Sequence, residues 1–218
     1  MSEEKRLSAN LLAREYTSLF RPEDFSLFKL TAEYHFSRTI KLTQQLKPKK
    51  KSQVVRSLIN LHLGLGFDAL LRSAYLYQNK CIHQLNDQGA ELENLPLHQF
   101  SSIEESRMVA KSLFSLPQLA AHYHQVFEGP FTDEHQEGVK LLIMLRNREG
   151  VSPLSVPLSQ EHYDLMIAVI QKIYLDAFIQ KLKFELDFKN GKHSVFQYKQ
   201  KKLKAIEPKS HDLPDENQ

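Results

Sequence analysis

The chain has 218 residues, of which 41% are hydrophobic and 25% charged, a balance that excludes overall disorder and suits one domain with arms. At this length folding removes roughly 70% of the unfolded chain's surface from water, and the single Cys81 excludes both a disulfide framework and a multi-cysteine zinc site. The net charge of +3 hides an asymmetry: residues 189–209 hold seven lysines against Glu207, while the remainder has 22 basic and 25 acidic residues.

Apolar residues at Phe25, Phe28, Ala32, Phe36 and Ile40 recur near a 3.6-residue period and predict a helix from Pro22 to Lys47, where Pro48 stops it. A second helix is predicted over 51–78, with Val55, Leu58, Ile59, His62, Leu63, Gly66, Ala69, Leu70 and Ser73 along one face. Residues 79–100 are polar and turn-rich and read as a long loop. Ser101 or Ser102, with Glu104 and Glu105 three residues on, predicts a capped third helix to Leu116. Pro117 opens a short fourth helix through Phe127, and Gly129-Pro130 breaks the chain. Thr132 caps a fifth helix, 133–149, with Val139, Leu142 and Ile143 inward. Ser159 caps a long last helix whose stripe runs from Tyr163 through Leu182 to Phe188, ended by Asn190-Gly191. No period-2 strand of useful length and no internal repeat is read, so the expected fold is all-α.

Gly64-Leu65-Gly66-Phe67-Asp68-Ala69 matches G-x-G-x-x-A, yet a dinucleotide site needs a strand turning into a helix, and these residues lie inside a helical stretch. Small residues that let a neighbouring helix approach are the better account. Ten histidines raise a metal site, but His122 and His124 are two apart, on different helix faces, and no H-E-x-x-H occurs. No metal or cofactor is therefore expected. Cys81 has Lys80 and His83 as neighbours, but at the end of an apolar helix a cysteine reads first as a small hydrophobe.

Arg146 lies seven residues after Val139, at the end of the fifth predicted helix. Its guanidinium can bond terminal carbonyls there, or grip a phosphate bidentately. Lys49, Lys50 and Lys51 sit at an interhelical turn, and Lys199, Lys201, Lys202 and Lys204 interleave with Phe196 and Tyr198 in the basic arm. Such residues neutralise phosphates while rings stack on unpaired bases; a solvated tail is the plainer account. With Arg146 and Arg148 they are the candidate nucleic-acid contacts. No run of 18 uncharged apolar residues occurs, and Ser2-Glu3-Glu4-Lys5-Arg6 lacks a signal peptide's apolar segment, so a cytoplasmic protein without a membrane partner is expected.

The run Gly66-Phe67-Asp68-Ala69-Leu70-Leu71-Arg72-Ser73-Ala74-Tyr75-Leu76, followed by Arg146-Asn147, a Pro-containing loop and a closing helix, resembles HEPN domains over residues 22–188. That resemblance implies an all-α bundle of about five to six helices with long second and last helices. With the charge asymmetry, the expected organisation is an N-terminal segment 1–21, a helical HEPN-like domain 22–190 and a partly disordered basic arm 191–218. It further implies a homodimer or partner protein, RNA as ligand, and a toxin–antitoxin or defence setting. Arg146 would hold the phosphate, with Asn147 the polar residue beside it. The histidine that active members carry shortly afterwards is replaced by Val151, Ser152 and Pro153, and the nearest candidate is His162. Losing a poised imidazole removes typically 10²–10⁴-fold in rate, so RNA binding is expected more than cleavage. The alternatives are a metal-independent ribonuclease using Arg146, Asn147 and His162, or a non-catalytic interaction subunit of a larger complex.

Overall fold

Among the described residues six α-helices form a bundle around the longest of them. A computed structural model of the chain describes residues 19–46, 52–87, 90–91, 98–100, 108–127, 129–148 and 158–188. A 3-10 turn at Pro22–Asp24 leads into α1 (Phe25–Thr43), followed by α2 (Ser52–Tyr77), α3 (Leu116–Ala121), α4 (Tyr123–Val126), α5 (Asp133–Arg148) and α6 (Gln160–Phe178). The fold is all-α in class. Local signals set several ends: Ser115 and Ser159 cap α3 and α6 in reciprocal capping boxes, and Thr132 Oγ1 accepts the backbone N–H of His135 in the first turn of α5.

Helix α2 is apolar and long enough to cross a membrane, but here it is the core element. It packs on α1 along one side and on α5 and α6 along the other, burying Ile59, Leu63, Phe67, Leu70, Leu71 and Ala74. Gly64 and Gly66, two residues apart, serve these opposite sides. A Cβ on Gly64 would fall 2.4 Å from the Arg146 backbone nitrogen, and one on Gly66 would fall 2.5 Å from Cε1 of Phe36. The G-x-G-x-x-A run is thus a pair of helix contacts. Its mid-helix N–H groups are spent on the helix and offer nothing to a pyrophosphate. Gly64→Ala gains up to about 1 kcal/mol of helix propensity. The backbone clash outweighs it, and a net loss of about 1–3 kcal/mol is expected in urea unfolding. Unchanged stability would show that α5 has room to move.

Two expectations are corrected. Residues 79–100 are not simply a loop, and the segment before α3 is not helical where it is described. Strands β1 (His83–Asp87), β2 (Ala90–Glu91) and β3 (Met108–Leu113) form an antiparallel sheet in the order β2-β1-β3, with a bulge between Gln84 and Leu85. Residues 101–107, with their candidate cap, lie outside the described residues. Pairing with β1 satisfies the backbone of 108–113 across the sheet, and Ser112 Oγ donates to Gln84 Oε1 at 2.8 Å.

The last helix also ends earlier than its stripe implies. It stops at Phe178, Ile179 turns left-handed (φ 54°), and residues 180–188 run back as an extended strap. Leu182, Phe184 and Leu186 are buried while Lys183 and Glu185 are exposed, which is alternation with period two. No strand pairs with it among the described residues, and side chains of α6 bond its backbone. Gln171 Nε2 donates to the Phe184 carbonyl, and Gln160 both donates to the Leu186 carbonyl and accepts the Phe188 N–H.

Candidate anion-binding site

Arg146, Asn147 and Arg148 are exposed on the last turn of α5. Among the described residues Arg146 makes no bond to the helix carbonyls. The close approach at Gly64 brings its backbone onto α2, and its Nε donates to Asp68 Oδ2 at 3.1 Å. The other oxygen, Asp68 Oδ1, takes Nε of Arg72 at 2.8 Å. Gly64, Asp68 and Arg72 are spaced four apart, so one stripe of α2 supplies both the close approach and the carboxylate.

The two arginines differ sharply. The Arg72 side chain is 10% exposed and that of Asp68 13%, whereas Arg146 keeps 43%. Two guanidiniums on one carboxylate leave a net positive charge, and the accessible share of it lies on Arg146. Only Nε of Arg146 is engaged among the described residues, so its terminal nitrogens remain available for a planar, bidentate anion contact. Arg72 Nη1 is buried with no partner among the described residues, an orphaned donor beneath the site.

Beside Arg72 stands His83, buried on β1. Its Nε2 accepts the Phe20 backbone N–H at 2.9 Å, and its ring stacks on Phe20. Burial, with the Arg72 guanidinium second, drives its pKa down to about 4. His83 is therefore neutral at pH 7. Sequence reading passed over Asp68, Arg72 and His83. The only local signal was the Asp68–Arg72 spacing inside the helix.

His162 is placed differently from a free proton carrier. It is the third residue of α6, half-buried, and its Nδ1 accepts the Ser159 backbone N–H at 3.1 Å and lies 2.9 Å from Ser159 Oγ. Gly64 of α2 lies against the Arg146 backbone, and Asn60, one turn earlier on α2, accepts a hydrogen bond from the hydroxyl of Tyr163, the residue after His162, so α5 and α6 bring Arg146 and His162 over neighbouring turns of α2. No hydrogen bond joins them among the described residues. Lys49, Lys50, Lys51, Lys199, Lys201, Lys202 and Lys204 lie outside the described residues.

Comparison with known protein families, characterised proteins and solved structures finds no match. The chemistry of the site is thus read from its geometry. Cys81 is fully buried, and burial pushes its thiol pKa up, which makes it a core residue and a poor nucleophile. Among the described residues no three His, Cys, Asp or Glu side chains converge as a metal cage.

Proposed function

We propose that this protein is an HEPN-like RNA-binding protein in which Arg146 grips a backbone phosphate and the lysine arm supplies long-range attraction. The supporting observation is the way Asp68 holds Arg146 by Nε alone, fixing the guanidinium while leaving its outer edge to solvent. Asn147 and Arg148 are exposed on the same last turn, with Arg148 about 200° round the helix from Arg146. The decisive experiment measures single-stranded RNA affinity of the full chain against salt. A charge-assisted bond of about 1.5–3 kcal/mol predicts that Arg146→Gln weakens binding roughly tenfold to a hundredfold. Removing residues 192–218 lowers the slope of log K against log salt by about 0.7 for each phosphate the arm neutralises. Unchanged affinity in Arg146→Gln removes the pocket, and an unchanged slope removes the arm.

The ribonuclease reading requires His162 to leave its cap. RNA cleavage that survives a chelator and disappears in His162→Ala would establish it. A second reading, the interaction subunit, is favoured by the apolar stripe Leu27, Leu30 and Tyr34 exposed along α1, with Val54 and Leu58 exposed on α2. Purification from the native host separates the two: co-eluting protein without nucleic acid supports the interaction subunit.

A further inference from the structure

Where α1 crosses α2, His35 and His62 meet with their Nδ1 atoms 2.8 Å apart and their ring centroids 5.1 Å apart. One Nδ1 must carry the proton and the other accept it, so one lone pair faces the contact now and the second is exposed there when the donor ring adopts its other tautomer. We propose that this pair is a two-histidine site for a divalent transition-metal ion of the Zn²⁺ class, its remaining positions taken by water.

The geometry carries this in three steps. First, the donors are of the right kind, since neutral imidazole nitrogen suits Zn²⁺, Cu²⁺ and Ni²⁺. Metal bonds of about 2.0–2.1 Å at a tetrahedral angle place the two nitrogens roughly 3.3 Å apart. Opening the pair from 2.8 Å needs only a small turn of each ring. Second, the backbone is fixed. Phe36, next to His35, packs on Gly66, one turn after His62, so tightly that no Cβ fits there. Third, both rings are half-buried, leaving an outer side for water ligands.

The surroundings set the pH response. Burial lowers both histidine pKa values, and for His62 the neighbouring His35 and Arg38 lower it further. Tyr34, exposed, meets the His35 ring edge-on. A metal takes the neutral form of each ring, so its binding weakens as acid protonates them. On binding, the donor ring moves its proton from Nδ1 to Nε2 through solvent, so no net proton is released and nothing is oxidised or reduced. Arg38 opposes a dication and keeps the affinity below that of a closed cage.

The test titrates the full chain with ZnCl₂ in a non-chelating buffer, by calorimetry and by histidine-ring NMR. The expected result is one saturable site whose filling shifts both rings together. His35→Gln and His62→Gln should each weaken it at least tenfold, while His122→Gln, a change at the half-buried residue after α3, leaves it intact. No saturable binding, or binding equal to wild type in both single variants, overturns the site. Should a variant fail to fold, the wild-type spectra decide alone: shifts confined to other histidines overturn it.

Discussion

Asp68→Ala is expected to lower the unfolding free energy by about 3–5 kcal/mol, because it strips the partner from a guanidinium that is nine-tenths buried. The cost comes mainly from Arg72. Its Nη1 already lacks a partner, and removing the carboxylate leaves Nε unpaired as well. Arg146→Ala removes the other half of the bridge at far lower cost, about 0–1 kcal/mol, since that side chain is 43% exposed and solvent screens it. The double variant Asp68→Leu/Arg72→Leu should recover most of the loss, because well-packed apolar residues replace a buried pair without an uncompensated charge. Urea unfolding of the three proteins checks the series. A loss in Asp68→Ala no larger than in Arg146→Ala would mean that Arg72 is not held by this carboxylate. The same substitution frees Arg146 Nε, so it should weaken RNA binding even where the protein remains folded.

What the sequence makes legible follows the reach of each signal. Ser159 and Thr132 announce the starts of α6 and α5 because a cap is decided within three residues. The strands escape for the opposite reason. His83-Gln84-Leu85-Asn86-Asp87 has no apolar alternation, and its partner β3 lies some twenty residues later, so only tertiary pairing defines it. The strap is a different failure, since Leu182, Phe184 and Leu186 do alternate, but a preceding helix of strong period invites reading them as its continuation. Arg146 shows the limit at the site itself. Its place at a helix end is visible in the sequence. That a carboxylate 78 positions away would take its Nε is not, because the meeting depends on Gly64 letting α5 onto α2.

Acid should unfold this protein earlier than its carboxylates alone would require, and His83 sets the window. In the unfolded chain a histidine titrates near pH 6.5, whereas in the fold His83 is held down to about 4 by burial and by Arg72. Above about pH 6.5 neither state binds the proton and stability is unaffected. As pH falls below that value the unfolded state is protonated first, and stability drops by about 1.4 kcal/mol per pH unit until the folded pKa is reached. The interval from 6.5 to about 4 amounts to about 3 kcal/mol. His35, His62 and His135, whose pKa values are also lowered, act in the same direction. Urea midpoints measured between pH 7.5 and 4.5 should therefore fall steadily. His83→Gln, which cannot titrate but can still accept the Phe20 N–H, should flatten the curve relative to wild type. An NMR titration gives the independent check: the His83 ring should stay neutral down to about pH 5. A ring titrating near 6.5 would show that β1 leaves His83 open to water and that the charge of Arg72 does not reach it.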